Sequence, residues 1–314
     1  MPRGHPLGKC GLSPLITQIL FNRGLADAAQ VEPFLSVDKR LSPDPFLLPD
    51  MEMAVTRIYR AVLSGEKIAV YGDFDADGIT STALLVQGLK TFNVAAIPYI
   101  PHRINEGHGL KIAALETLKK EGVSLIISAD CGITGVNPVK KAHRLGMDVI
   151  ITDHHTQTEE LPPALAVVNP KIATSHYPFI ELAGVGVAYK LLQALLRGMN
   201  KESQLEEVAD LVALGTVADM TPLLGENRYL VSEGLKRLNA VPRLGLSELL
   251  KKAGITTGAL TSENITWVIA PRLNTASRMD HALPSYELLM TDSAVRAGEL
   301  TTWLEQKNYH QPWR

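Results

Sequence analysis

Ile68-Ala69-Val70-Tyr71-Gly72-Asp73-Phe74-Asp75-Ala76-Asp77-Gly78-Ile79 is the stretch on which the reading of this chain turns. Its first four residues form an apolar run, short enough for a strand buried on both faces. Asp73, Asp75 and Asp77 follow at alternate positions, then Gly78, and residues 79–92 read as a helix. A strand, an acidic loop and a helix begin a βαβ unit, and open α/β sheets bind ligands beyond the C-terminal ends of their strands. Gly78 lets the chain turn into the helix, whose N-terminus favours anions. D-x-D-x-D-G also opens an EF-hand calcium loop, which needs a glutamate at its twelfth position and a helix before it. The twelfth residue is Leu84 and the segment before Asp73 is a strand, so the calcium reading fails. A solvated turn with capping aspartates is the bland alternative, but three carboxylates this close repel unless cations sit among them.

The pattern continues downstream. Residues 94–99, 125–127, 149–151 and 166–168 read as strands, and 110–121, 136–145, 184–196 and 205–214 as helices. The alternation predicts an α/β fold with a mostly parallel sheet flanked by helices. We assign residues 51–230 to this domain, opening with a helix over 51–64. Residues 1–50 form a helical N-terminal appendage: Leu15, Ile16, Ile19 and Leu20 have helical spacing, and 33–49 is a turn-rich connector. Helical segments over 235–250, 263–269 and 286–304 make 231–314 a helical C-terminal connector.

Bulk properties narrow the function. Hydrophobic residues make up 46% of the 314, enough for a sizeable core, which excludes global disorder. A formal net charge of −2 excludes a chain-wide basic surface, so any nucleic-acid contact needs a local patch. The two cysteines, Cys10 and Cys131, lie far apart, which argues for a reducing compartment and against a thiolate zinc site. Arg3 and Lys9 have no apolar run behind them, and no segment approaches the roughly 20 apolar residues of a membrane span. A cytoplasmic, monomeric protein with no membrane contact is expected.

Partners for the acidic loop lie beyond the other apolar runs: Asp130-Cys131-Gly132, Asp153-His154-His155, and Asp219. Singly, each has a bland reading as a cap or a loop acid. Jointly, they can converge on one edge of the sheet. Carboxylates with imidazole suit Mn²⁺ or Mg²⁺, and a pair of such ions can clamp both oxygens of a phosphoryl transfer. Cys131 is read as a small packing residue. Gly184-Val185-Gly186 lacks the third glycine of a dinucleotide fingerprint and is read as close packing at a helix start.

These residues resemble the DHH phosphoesterase superfamily, and within it the single-strand-specific exonucleases. Asp153-His154-His155 is the signature. Residues 70–82, 128–133, 149–155, 182–188, 211–223 and 271–278 follow the family's motifs in order along almost the whole chain. The resemblance implies two ions, Mn²⁺ or Mg²⁺, with Asp75 on the first. Asp77, His154 and Asp219 would hold the second, and Asp130 would bridge the two. Asp73 would support the first ion. His155 would contact the scissile phosphate, its bland alternative being to orient His154. Arg103 would grip a substrate phosphate, and Arg272, Arg278 and His108 would also bind substrate, Arg278 more directly than Arg272. The implied activity is 5′→3′ hydrolysis of single-stranded DNA in repair and recombination, with a single-strand-binding protein or a helicase as partner. A phosphodiesterase acting on short oligonucleotides or cyclic dinucleotides is the second reading. A non-catalytic remnant that binds metal or a repair partner is the third.

The chain departs from the family in three places. His102 stands for a usual asparagine, His108 for a usual tyrosine, and Ser277 for a usual glycine, which is expected to disturb a tight turn. Family members run on into a second α/β domain and an OB-type domain. Here Tyr309 and the five residues after it end the chain, so a shortened core is expected.

Overall fold

The computed structural model describes residues 4–309; Arg3 and residues 310–314 lie outside them. Five strands form one parallel sheet in the order β2-β1-β3-β4-β5: β1 (Lys67–Gly72), β2 (Ile97–Tyr99), β3 (Val123–Ala129), β4 (Asp148–Thr152) and β5 (Ala166–Val168). From β1 the chain steps one way to β2, then returns to the other side for β3. The loops after β1 and β3 therefore diverge and open a crevice, the usual place for a ligand in such sheets.

Helices α1 (Pro14–Asn22), α2 (Val31–Ser36) and α3 (Met51–Leu63) precede the sheet. Helices α4 (Ala76–Lys90), α5 (Ile112–Lys120) and α6 (Val136–Arg144) follow β1, β2 and β3. After β5 come α7 (Gly184–Arg197), α8 (Ala209–Ala218), α9 (Gly225–Ala240) and α10 (Leu244–Lys252). The single turn α11 (Ser262–Asn264) passes through a π-helical turn, Ile265–Ile269, into α12 (Ala270–Met279). Helices α13 (Leu283–Met290) and α14 (Ala294–Tyr309) complete the described chain.

Strand side chains alternate between two cores, as the pleat requires. Ile68, Val70, Leu125, Ile127 and Ile150 join α3, α4, α7 and α8. Ala69, Tyr71, Ile126, Val149 and Ile151 pack beneath α5 and α6. The first core is continuous as far as Leu304, so the C-terminal helices share it with the sheet, and position 230 falls inside α9.

The N-terminal segment has a small core of its own, Leu7, Leu20, Leu25, Val31 and Phe34. Helix α1 buries Leu20 but turns Leu15, Ile16 and Ile19 to solvent. The segment is tied to the domain by Lys190, whose fully buried ammonium donates to Glu226 (2.8 Å), the Pro43 carbonyl (2.6 Å) and Ser42 Oγ (3.2 Å).

Several boundaries differ from expectation for local reasons. The helix expected over 235–250 is two helices, because Pro242 cannot continue α9. The helix expected over 286–304 breaks where Thr291 Oγ1 accepts the Ser293 N–H and Ser293 Oγ accepts the Arg296 N–H. The helix expected to stop at 269 continues through Pro271, with the widened π turn lying just before the proline. The strand expected over 94–99 pairs only at 97–99, and residues 33–35 lie in α2 rather than in a connector. Ser277 disturbs no turn: it is buried inside α12, with Oγ on the Asn274 carbonyl.

Candidate metal centre

Three aspartates stand one residue beyond three neighbouring strands, held there by the sheet's own ladder. The Asp73 N–H donates to the Ala129 carbonyl (3.2 Å), the Asp130 N–H to Thr152 (3.0 Å), and the Asp153 N–H to Val168 (3.2 Å). Asp130 adopts φ 62°, a left-handed conformation that aspartate tolerates better than most residues. Asp219 does not follow a strand; it caps the C-terminus of α8, where a buried helix presents it to the same place.

The acidic loop is folded by its own amides. Asp75 is the N-cap of α4, its Oδ1 accepting the Asp77 and Gly78 N–H groups (3.0 Å each). Gly78 lies inside the first turn at ordinary helical φ, so close approach and not conformational freedom requires it. A Cβ there would sit 2.5 Å from the Asp73 carbonyl. Asp77 is buried and accepts the Gly184 N–H (2.7 Å) and the Val185 N–H (2.8 Å) at the start of α7. The close packing expected at Gly184 is present: a Cβ would lie 2.3 Å from Asp130 Oδ1.

The ligand atoms form three overlapping groups, each within 4.8 Å: Asp73, Asp75 and Asp130; Asp77, His154 and Asp219; and Asp130, His154 and His155. Asp130 belongs to two of them. His154 Nε2 lies 3.2 Å from Asp130 Oδ1, 3.8 Å from Asp219 and 3.9 Å from Asp77. The shortest approach lacks hydrogen-bond alignment, so Asp130 Oδ1 is buried without a hydrogen-bonding partner, as is His154 Nδ1. Orphaned acceptors are costly in a protein interior.

Electrostatics agree with the geometry. Burial, then the Asp75 charge, pushes the Asp77 carboxyl up to about 7. Burial, then Asp77, does the same to Asp219, up to about 7. Burial and the neighbouring carboxylates raise Asp130 well above the usual range, and burial and Asp75 raise Asp73. Burial lowers His154, which keeps the imidazole neutral, as a metal ligand must be. Excess negative charge beside a neutral imidazole fits divalent cations.

His155 is a different kind of group. Its Nδ1 meets Asp153 Oδ1 at 2.7 Å, and this bond, with the Asp153 charge, holds the imidazole up at about 9. Asp153 stays below the ordinary range although burial opposes it, because His155 and three backbone N–H groups face it. The His154 and His155 rings stand 4.5 Å apart at 59°, and it is Asp153 that orients His155. The positioning role of Asp153 was not foreseen; its place at the head of the D-H-H motif was the available signal.

The remaining residues fall into two sets. Arg103 lies over the Phe74 ring at 5.1 Å, and the His108 ring stands 4.2 Å from that ring with Nδ1 on Asp73 Oδ2 (2.8 Å). Phe74, which the sequence reading passed over, thus carries the loop after β2. Arg278 is exposed at the end of α12 and makes no ion pair among the described residues. Arg272 is engaged elsewhere, with Nε on Glu305 (2.5 Å) and Nη1 on the Val268 carbonyl (3.0 Å). A cleft of about 400 Å³ is lined by Asp73, His108, Asp130, Asp153 and His155 among others. A larger hollow of about 640 Å³ beside α3 and Leu165 includes none of these groups.

Residues 67–216 match the family model described as DHH family, N-terminal domain. The crystal structure of exonuclease RecJ bound to manganese superposes with TM-score 0.77 and 38% identity, covering 86% of this chain and 67% of that one. The chain belongs to the DHH family. Among curated DHH proteins, the single-stranded-DNA-specific exonuclease RecJ of Bacillus subtilis is 42% identical over 297 residues, 95% of this chain and 37% of the relative. RecJ of Thermus thermophilus in complex with Mn²⁺ has TM-score 0.82 and 34% identity, covering 97% of this chain and 43% of that one. The chain thus spans about a third of the length of its Bacillus subtilis relative. Its D-H-H signature is Asp153-His154-His155, which lies within the matched domain. Among the described residues, no helix is long and apolar enough to cross a membrane.

Proposed function

We propose that this chain hydrolyses phosphodiester bonds of single-stranded DNA from the 5′ end. The observation that carries the reading is the overlap of three ligand groups on Asp130 and His154. Two divalent cations, Mn²⁺ or Mg²⁺, when bound supply charge to the attacking and leaving oxygens of phosphoryl transfer. Asp75, supported by Asp73, would hold the first, and Asp77, His154 and Asp219 the second, with Asp130 shared. Asp153 keeps His155 protonated, and the imidazolium donates to a phosphate oxygen as its charge grows. Arg103 and Arg278 grip neighbouring phosphates, and the exposed His108 ring, backed by the buried Phe74, offers its face to a base. Arg272 supports α12 from the far side, and through that helix it serves substrate binding indirectly.

Residues 1–50 serve as a docked appendage, 51–230 as the catalytic domain and 231–314 as the helical connector. The protein works as a cytoplasmic monomer, with a single-strand-binding protein or a helicase as partner. The test uses a 5′-phosphorylated single strand labelled at its 5′ end, incubated with the chain and Mn²⁺. Early release of labelled mononucleotide is expected. Cleavage of dinucleotides alone would move the substrate to short oligonucleotides. Metal binding with no cleavage of either would leave a non-catalytic remnant.

A further inference from the structure

We infer that Asn274 is a positioning residue for the acidic loop, and that through it α12 controls how tightly the loop holds divalent cations. The inference rests on reading the carboxylate–histidine cluster as a metal centre.

Three of the loop's amides are taken by its own side chains. Asp73 Oδ1 accepts the Phe74 N–H (2.8 Å), and Asp75 Oδ1 accepts those of Asp77 and Gly78. The Ala76 N–H, the first of α4, lies between them and has no acceptor within the loop. It donates instead to Asn274 Oδ1 at 2.8 Å, across 198 positions of sequence. Ala76 is 1% exposed, so water does not replace that acceptor. The amide lies between two residues whose carboxylates belong to different ligand groups, Asp75 with Asp73 and Asp130, Asp77 with His154 and Asp219. Moving the Ala76 peptide moves both at once.

Helix α12 is itself held rigidly. Ser285 Oγ donates to the Leu273 carbonyl (2.7 Å), and the single Thr275 hydroxyl proton is shared between the Pro271 carbonyl (2.9 Å) and Asn308 Oδ1 (3.1 Å). The Asn274 amide is therefore a fixed acceptor and not a mobile surface group. Arg278 lies four residues on, on the same face of α12 and about 6 Å along its axis. One hydrogen bond thus sets the spacing between the ligand loop and an arginine placed to meet phosphate. Groups that orient ligands from behind typically change metal affinity by about 10- to 100-fold when lost.

The experiment measures Mn²⁺ binding to the full chain by titration calorimetry, with thermal denaturation of the metal-free form alongside. Asn274→Ala is expected to weaken Mn²⁺ binding at least tenfold. Asn274→Asp, which keeps an acceptor at the same reach, is expected to restore most of the affinity. Thr275→Val, which loosens α12 from α14 but keeps the Asn274 acceptor, is expected to lower the melting temperature and to weaken Mn²⁺ binding far less than Asn274→Ala does. Asn274→Ala binding like wild type, while Asp77→Ala does not bind, overturns the positioning role and leaves the metal centre standing. Equal weakening by Asn274→Ala and Thr275→Val also overturns it, since general loosening would then suffice. Wild-type binding by Asp77→Ala removes the metal centre and this inference with it.

Discussion

The Asp77 carboxylate and the Gly184 amide are joined at 2.7 Å across 107 positions of sequence, with the Val185 amide on the other oxygen at 2.8 Å. The aspartate proposed as a metal ligand is thus also the cap of a buried helix, and the two roles separate by substitution. Asp77→Asn keeps an acceptor for one amide and removes the repulsive charge. Asp77→Ala strands both buried N–H groups, at about 1–3 kcal/mol each. Both variants are expected to lose turnover on single-stranded DNA. Only Asp77→Ala is expected to melt well below wild type in the metal-free form. Turnover by Asp77→Asn would remove Asp77 from the ligand set.

Gly184 is required by a neighbour and not by its own backbone. A Cβ there would meet Asp130 Oδ1 at 2.3 Å and Asp130 Cβ at 2.5 Å. Neither side can yield easily, because Asp130 is pinned by the Thr152 carbonyl and Gly184 by Asp77. Gly184→Ala is expected to displace Asp130, the proposed shared ligand, cutting activity by about 100-fold, as outer-sphere changes at metal sites can. Circular dichroism should show the fold retained. Wild-type activity would mean that Asp130 has room to move and is not a tightly placed ligand.

What was legible in the sequence followed from local chemistry. The run at 68–71 predicted β1 because a strand buried on both faces has little choice but Ile, Ala, Val and Tyr. Asp73, Asp75 and Asp77 stood out because their repulsion demands an explanation. What was illegible was nonlocal. Nothing near Asp77 announces that the α7 amides will hold it, and nothing near Arg272 says that its face of α12 meets Glu305. Asn274 lay inside the 271–278 motif, beyond the helix expected to stop at 269, with no role assigned to it. The break at Pro242 was readable in principle, and the continuous apolar spacing around it hid it.

Arg103 and Arg278 are exposed, one on the Phe74 ring and the other unpaired at the end of α12. An arginine that binds phosphate releases counterions when the strand arrives, so its loss flattens the salt dependence of binding. Arg103→Ala and Arg278→Ala are each expected to raise KM about tenfold, the size of one charge-assisted hydrogen bond. Each should also lower the slope of log affinity against log salt by about one. Arg272→Ala is expected to leave the slope unchanged, since Glu305 already occupies that guanidinium. An unchanged slope for Arg278→Ala would take it off the phosphate path.

Lys190 and Glu226 are both fully buried, and their bond at 2.8 Å also gathers Ser42, Pro43 and Tyr177. Removing one partner leaves a charge stranded in the interior, which typically costs about 3–5 kcal/mol. Lys190→Met is therefore expected to destabilise strongly, and Lys190→Met with Glu226→Gln to recover part of the loss. Limited proteolysis should open first in residues 36–50, which the lysine anchors. Equal stability of single and double variants would show that the pair is not coupled.

Metal-free stability should depend on pH in a direction opposite to that of an ordinary paired carboxylate. Asp77 and Asp219 are raised from 3.8 to about 7, by burial first and then by neighbouring carboxylates. Between those values the folded chain holds more protons than the unfolded chain, so stability falls as pH rises. These two groups therefore stabilise the folded state most below pH 4, and their contribution is lost by about pH 7. Bound cations reverse the sign, because they favour the ionised carboxylates and bind more tightly as protons leave. With EDTA the melting temperature attributable to the cluster should decline from pH 5 to pH 7.5, and the rise on adding Mn²⁺ should grow over the same range. Asp77→Asn should blunt both trends. A Mn²⁺-induced rise that is the same at every pH would show that the cation binds away from these carboxylates.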